Sequence, residues 1–185
     1  PDEYLFLPDY FEAGFDRAYI KKTGVEVPIV KKKNIIYDSR AQVAKQQRYG
    51  PLIVFSIATL LIATITFFDF RKKRLSNWLD GMLFGVTGAI GILLFVLWFF
   101  TDHNAAARNM NILWAFPLHV VAAIALIKSP RWLTTYFMGT AILSLLLLLC
   151  WEILPQQLHT ALIPVVVAQG IRSFTQYRLR QTARA

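Results

Sequence analysis

The chain has 185 residues, of which 56% are hydrophobic and only 17% are charged, with a formal net charge of +9. Its mean hydropathy of +0.44 excludes an ordinary soluble domain, which needs more charge to stay in water. The excess of basic residues does not indicate nucleic-acid binding, because these residues flank apolar runs instead of forming one stripe or motif. The composition therefore indicates a membrane protein.

Residues 1–50 are soluble in composition and open the chain. The first residue is Pro1 and no signal peptide precedes the apolar runs, so this segment is predicted to finish an upstream extracytoplasmic domain and link it to the membrane. Apolar residues recur at the spacing of an amphipathic helix at Phe11, Phe15, Ala18 and Tyr19. A strand-like run follows at 25–30, and the segment has too little apolar material to fold alone.

Apolar stretches after Gly50 predict about five transmembrane helices, at roughly 20 residues per crossing. They occupy residues 51–68, 79–100, 112–127, 132–153 and 158–171. The fifth stretch is the weakest because Pro164 lies inside it. The sequence thus predicts an all-α, polytopic transmembrane helical bundle over 51–171, followed by a basic cytoplasmic tail over 172–185.

Charge in the connections predicts the orientation. Ten Lys or Arg residues fall in 71–74, 128–131 and 172–185, whereas the connections on the other side carry only Arg108. The positive-inside rule therefore places the C-terminus in the cytoplasm and residues 1–50 outside. The segment 31–48 is itself basic, but a folded exported domain translocates largely regardless of its charge.

With this orientation, uncommon polar residues gather at the outer surface. The candidates for binding a substrate or lipid are Asp102, His103, Asn109, Asn111, Trp114, His119, Glu152 and Gln157. Carboxylate and imidazole groups near a bilayer are costly and usually face protein or water, and Glu152 is the predicted partner of His119 by depth. The alternative is that these residues cap helix ends and meet lipid headgroups.

No catalytic residue, metal site or cofactor is predicted in this chain. The three histidines could supply nitrogen ligands with Asp102 or Glu152, but their spacing matches no metal signature. No serine lies in a nucleophile elbow and no cysteine lies in the outer loops. Cys150 lies in a leucine run and is predicted to be a core residue.

Two sequence features in and around the first two spans predict how helices meet. Small residues line one of its sides and would let another helix approach closely, at Gly81, Gly85, Gly88 and Gly91. Asp69 and Asp80 border the basic residues 71–74 and are predicted to pair with them.

Several short motifs resemble the Lnb-like family. The end of its extracytoplasmic domain is similar to Phe6-Leu7-Pro8-Asp9-Tyr10, Ala13, Phe15-Asp16, Ala18 and Val27-Pro28-Ile29-Val30. Its following outer loop is similar to Thr101-Asp102-His103, Asn109-Met110-Asn111, Leu113-Trp114 and Pro117-Leu118-His119. Its last helix is similar to the pattern Gln157, Pro164 and Ile171-Arg172-Ser173.

The resemblance implies a function. Lnb-like proteins are bacterial, with a papain-like exported domain, and some are lipoprotein acyltransferases. It implies acyl transfer to the lipoprotein amine at the outer face of the inner membrane, through a thiolate of the exported domain. No residue here matches that Cys motif, so the catalytic Cys and His are expected upstream. Membrane lipids and a lipoprotein or envelope protein are the implied partners.

Two other functions are considered. The chain could be a non-catalytic membrane anchor or subunit that docks an envelope complex, and a Cys and His in a papain-like context upstream would favour the enzyme instead. A transporter is disfavoured, because charged residues inside the spans are nearly absent and no repeat is evident.

Overall fold

The computed structural model describes residues 8–32, 50–101 and 108–183, and for residues 8–11 and 22 it describes the backbone alone. The chain divides into two compact units, Pro1–Lys45 and Gln46–Ala185. The predicted change of character near residue 50 lies close to this division.

In the first unit, the described residues 8–32 form one helix and one hairpin. Helix α1 is Pro8–Asp16, and strands β1, Tyr19–Lys22, and β2, Val25–Pro28, pair antiparallel. The two-residue turn between them has positive φ at both Thr23 (51°) and Gly24 (85°), as a type I′ turn requires. Helix α1 is therefore shorter than the predicted amphipathic helix, because Tyr19 begins a strand. The strand-like run predicted at 25–30 contains β2, the second strand of the hairpin.

In the second unit, residues 50–101 and 108–183 form a bundle of five α-helices. They are α2, Gly50–Lys72; α3, Asn77–Phe99; α4, Leu118–Ala125; α5, Trp132–Leu149; and α6, Ile163–Thr182. A four-residue 3-10 turn, Met110–Leu113, precedes α4. Three-residue 3-10 turns follow α5 at Trp151–Ile153 and precede α6 at Thr160–Leu162. Helices α2, α3 and α5 are long and apolar enough to span a membrane, and Met110–Ala125 is a shorter apolar segment. The predicted all-α polytopic bundle of about five spans is confirmed.

Helix α6 is the centre of the bundle. Helices α2 and α5 both pack along it, while α3 packs on α4 and on the turn at Met110–Leu113. Much of the outward surface is apolar, as on α2, where Ile53, Val54, Leu60 and Leu61 are all exposed. Such a surface suits hydrocarbon, because each helix satisfies its backbone hydrogen bonds internally.

The boundary of the fifth span differs from the prediction. Helix α6 begins at Ile163 and continues to Thr182, so residues 172–182 belong to the bundle and are not a tail. Pro164 lies in the first turn, where its missing N–H is not needed and where it does not kink the helix. Arg172 and Arg180, predicted to lie in the tail, are buried.

The close approach predicted along the glycine side of α3 is confirmed at two of the four glycines. A Cβ atom on Gly88 would collide with the backbone of the first turn of α4, and one on Gly91 with the backbone just before it. A Cβ atom on Gly85 would meet only the Ala123 methyl group, at 3.9 Å, and one on Gly81 would meet nothing within 4 Å. The close approach is therefore limited to the half of α3 nearer its C-terminus.

Candidate functional site

A series of hydrogen bonds joins three of the predicted site residues. Asn109 caps the 3-10 turn, and its Oδ1 accepts from the Asn111 backbone N–H at 3.0 Å and from Asn111 Nδ2 at 2.8 Å. Asn111 Oδ1 in turn accepts from Trp114 Nε1 at 2.8 Å. These contacts are local in sequence, because a 3-10 turn brings residues three apart onto one side.

Two glutamines tie this turn to the rest of the bundle. Gln156 Oε1, from the connection between α5 and α6, accepts from the Met110 N–H at 2.6 Å. Gln169 Nε2, on α6, donates to the Trp114 carbonyl at 2.9 Å. Trp114 is thus held at two points, its indole N–H and its backbone carbonyl. We call the end of the bundle that carries Asn109, Asn111, Trp114 and Gln156 the amide end.

Other predicted site residues do not join this series. Glu152 and Gln157 are exposed, and Gln156 rather than Gln157 makes the contact to the turn. His159 Nδ1 accepts from the Ala161 N–H at 3.1 Å, so it caps its own turn. Asp102 and His103 lie outside the part of the chain that the structure describes.

His119 lies in the interior, away from the amide end. Its side chain is 1% exposed, its Nδ1 lies 2.6 Å from the Tyr136 hydroxyl, and its ring contacts that of Phe84 edge-on. The prediction that Glu152 is the partner of His119 was wrong, because Tyr136 occupies that place. Helix α4 begins only at Leu118, after Pro117, so Asn111 and His119 do not share a helix face. His119 is therefore a core residue of the bundle.

A buried arginine, which the sequence analysis placed in the tail, joins three helices. The Arg172 side chain on α6 is fully buried. Its Nε and Nη2 donate to the two oxygens of Asp80 on α3, at 2.7 and 2.5 Å, and its Nη1 donates to Asp69 on α2 at 2.8 Å. The bidentate geometry is the strong form of an arginine–carboxylate pair.

Neighbouring polar groups complete this arrangement. Ser76 donates its N–H and hydroxyl to Asp69 at 3.0 and 2.8 Å, and Gln176 Nε2 donates to Asp80 at 2.5 Å. Every carboxylate oxygen of the two aspartates thus accepts a hydrogen bond. We call Asp69, Asp80, Arg172 and Gln176 the charge cluster. The prediction that the aspartates pair with residues 71–74 was wrong, because both form their ion pairs with Arg172.

Hydrogen bonds, ion pairs and apolar contacts are the interactions that these groups form. Within residues 8–32, 50–101 and 108–183, no three His, Cys, Asp or Glu side chains come together as a metal site would need. The amide end offers the half-buried amide groups of Asn109 and Asn111, whereas the Trp114 indole is 8% exposed and packs in the core. The charge cluster is sealed inside the helices and holds α2, α3 and α6 together.

Comparison with known proteins agrees with this architecture. The family model described as the Lnb transmembrane domain matches residues 43–184, which is more than half of the chain. Neither the curated proteins nor the solved structures contain a significant match. The match begins just before α2 and ends after α6, so it spans the whole helical bundle. The chain therefore belongs to the Lnb transmembrane domain family.

Proposed function

We propose that this chain is the membrane domain of a bacterial lipoprotein N-terminal acyltransferase. Membership of the Lnb transmembrane domain family is the observation that supports this function. In the chemistry that the Lnb-like resemblance implies, a thiolate attacks the ester carbonyl of an acyl donor and the donor's alcohol leaves. The lipoprotein amine then attacks the thioester, loses a proton and releases the thiolate.

The contribution of this chain is to hold the reactants near that thiol. The amide end suits this role, because the half-buried amides of Asn109 and Asn111 are fixed by each other and by Trp114, which anchors the turn from the core through its indole N–H and its carbonyl. A positioned binding surface of this kind brings reactants together at little entropic cost.

The proposed location is the inner membrane, with the amide end outside. Arg172 is buried and no longer counts among the basic residues of the connections. One end of the bundle still carries the exposed basic residues 71–74, Lys128, Arg131 and Arg178. Ser129 lies 3.5 Å from the Arg180 side chain, which places the connection between α4 and α5 at this end as well. We call it the basic end, and the positive-inside rule favours its facing the cytoplasm.

Cysteine labelling tests this orientation. Gln157→Cys and Lys72→Cys, each in a Cys150→Ala background, place one thiol at an exposed site of each end. A membrane-impermeant maleimide is expected to label position 157 in intact spheroplasts and position 72 only after permeabilisation. Labelling of position 72 alone in intact spheroplasts would reverse the orientation.

The acylation state of a lipoprotein tests the proposed function. The full-length protein with Asn111→Asp keeps an acceptor for Trp114 but places a carboxylate oxygen against Asn109 Oδ1, 2.8 Å away. We expect it to lower the initial rate of lipoprotein acylation, followed by mass spectrometry, by about tenfold, the factor for a loss of ~1.4 kcal/mol. Gln157→Glu is the matched control, because it makes the same charge change at an exposed amide.

Two outcomes would contradict the proposal. If cells that lack the full-length protein still acylate the lipoprotein amine normally, the acyltransferase assignment fails. If that loss abolishes acylation while Asn111→Asp, at normal protein levels, acylates like the wild type, the membrane domain is only an anchor.

A further inference from the structure

A polar cavity lies at the basic end of the bundle. It has a volume of about 310 Å³ and is bounded by the connection between α2 and α3, the start of α3, the connection between α4 and α5, and the last turn of α6. Its polar lining residues are Lys73, Asn77, Ser129 and Arg180, and no acidic residue lines it. Two of these four side chains are cations, so the lining suits an anion.

Gln176 positions two of the lining side chains. Its Oε1 accepts from Arg180 Nε at 2.6 Å, and its Nε2 donates to Asn77 Oδ1 at 3.2 Å. The same Nε2 donates to Asp80, which joins the cavity to the charge cluster. Because the Asn77 oxygen is used in this way, its Nδ2 remains as a donor, and within the described part of the chain it forms no hydrogen bond.

Arg180 is held in the wall of the cavity by several contacts. Its side chain is 6% exposed, and its guanidinium carbon lies 5.9 Å from the centre of the Phe137 ring. Its Nη2 lies 3.5 Å from Ser129 Oγ. A guanidinium fixed in this way presents its N–H groups as a planar fork, which matches the oxygens of a phosphate.

The charge on Lys73 adds to that of Arg180. Among residues 8–32, 50–101 and 108–183, the Lys73 side chain has no hydrogen-bond or ion-pair partner. Asp69 and Asp80 form their ion pairs with Arg172, deeper in the bundle. Arg178 lines an adjoining cavity that also includes Lys73, so the electrostatic potential at this end is positive.

Two exposed tryptophans place the cavity at the level of the lipid headgroups. Trp78, in the first turn of α3, is 62% exposed, and Trp132, the first residue of α5, is 45% exposed. Tryptophan is enriched at the membrane–water interface. Asn77 directly precedes Trp78, and Ser129 lies three residues before Trp132. An anion bound in the cavity would therefore lie among headgroups.

We propose that this cavity binds the phosphate of an anionic phospholipid, with Lys73, Asn77 and Arg180 as its donors. The inference is independent of the proposed function, because the cavity lies at the opposite end from the amide end. Basic pockets between membrane helices suit anionic headgroups. Phosphatidylglycerol is favoured over phosphatidylethanolamine, because the cavity offers cations but no carboxylate that could receive an ammonium group.

A bound phosphate would tie the end of α6 to both connections at the basic end. Lys73 lies between α2 and α3, Ser129 lies between α4 and α5, and Arg180 lies in the last turn of α6. A ligand that binds only the folded bundle stabilises it in proportion to its occupancy. The site therefore predicts that an anionic lipid raises the melting temperature of the protein.

Lipid titration of the full-length protein in detergent tests the proposal. Phosphatidylglycerol and phosphatidylethanolamine with the same acyl chains are compared by native mass spectrometry and by melting temperature. We expect phosphatidylglycerol to bind about tenfold more tightly and to give the larger rise in melting temperature. Inorganic phosphate at the same concentration is the third arm, and it should give no comparable rise.

Two variants and one control locate the site. Lys73→Gln removes one cation from the cavity and is expected to lower the affinity for phosphatidylglycerol by about tenfold. Lys72→Gln is the matched control, because Lys72 is exposed, lies over the Phe68 ring and does not line the cavity. Asn77→Asp keeps an acceptor for Gln176 but adds a carboxylate, so it should weaken binding as well. An aspartate in the first turn of α3 is compatible with folding.

Three outcomes would overturn the site. Equal affinity for the two lipids, or an equal loss of affinity in Lys73→Gln and Lys72→Gln, would mean that the basic residues attract lipid without a defined site. A rise in melting temperature with inorganic phosphate equal to that with phosphatidylglycerol would assign the cavity to a soluble anion. Each outcome leaves the proposed function untouched, because that function is judged by lipoprotein acylation.

Discussion

Replacing Arg172 by methionine is expected to lower the apparent melting temperature of the detergent-solubilised full-length protein on the order of 10 °C. The side chain is fully buried and donates to Asp69 and Asp80, which are themselves buried. Methionine fills much of the volume but leaves two carboxylates without a cation. Removing one partner of a buried ion pair destabilises a protein by about 3–5 kcal/mol.

Three further variants separate charge from packing at Arg172. Arg172→Lys keeps the charge but cannot form the bidentate contact to Asp80, so an intermediate loss is expected. Arg178→Met removes a cation from an exposed position of the same helix and should change little. Adding Asp69→Asn and Asp80→Asn to Arg172→Met removes the uncompensated charges and should restore part of the stability. A triple variant no more stable than Arg172→Met would contradict an electrostatic role.

The three long apolar helices could be predicted because hydropathy is a sum over neighbouring residues. The last helix could not be delimited this way, since its buried face is polar. Four polar residues spaced three or four apart lie on that face, at Gln169, Arg172, Gln176 and Arg180. Their helical spacing is the signal that could have identified them. Hydropathy alone placed Arg172, Gln176 and Arg180 in a tail, because it assumes that polar groups avoid the interior.

Only the local contacts of the amide end could be predicted from the sequence. Contacts within one turn, such as those of Asn109, Asn111 and Trp114, depend on nearby residues and follow from their proximity. The contact from Gln156 to Met110 and the partner of His119 depend on where α4, α5 and α6 begin and end. A shift of one residue at a helix end turns the side chain by about 100°, so depth alone could not identify Tyr136 as that partner.

The glycines of α3 show what a small-residue pattern can and cannot predict. The spacing of Gly81, Gly85, Gly88 and Gly91 indicates a helix side without bulky groups. Whether another backbone comes close depends on the crossing point, which a periodic pattern does not contain. In the structure, the chain crosses α3 where Ala115, Pro117 and Val120 lie, against Gly91 and Gly88.

Gly91→Ala is expected to prevent normal packing of α3 on α4, with a destabilisation of more than about 3 kcal/mol. The added Cβ would collide with the Ala115 carbonyl oxygen and lie 2.7 Å from its carbon and 2.9 Å from Pro117 N. These are backbone atoms, which cannot turn aside as a side chain can. The measurement is the apparent melting temperature in detergent, together with the yield of folded full-length protein.

Gly81→Ala is the matched control, because the same methyl group on the same helix meets nothing within 4 Å. It should be neutral or slightly stabilising, since alanine loses less backbone entropy than glycine in a helix. Gly88→Ala should also be strongly destabilising, because its Cβ would meet the Val120 backbone N–H and lie 3.0 Å from the His119 carbonyl carbon. If Gly91→Ala melted with the wild type, or if Gly81→Ala were equally damaging, the close approach of α3 to the chain at 115–120 would be refuted.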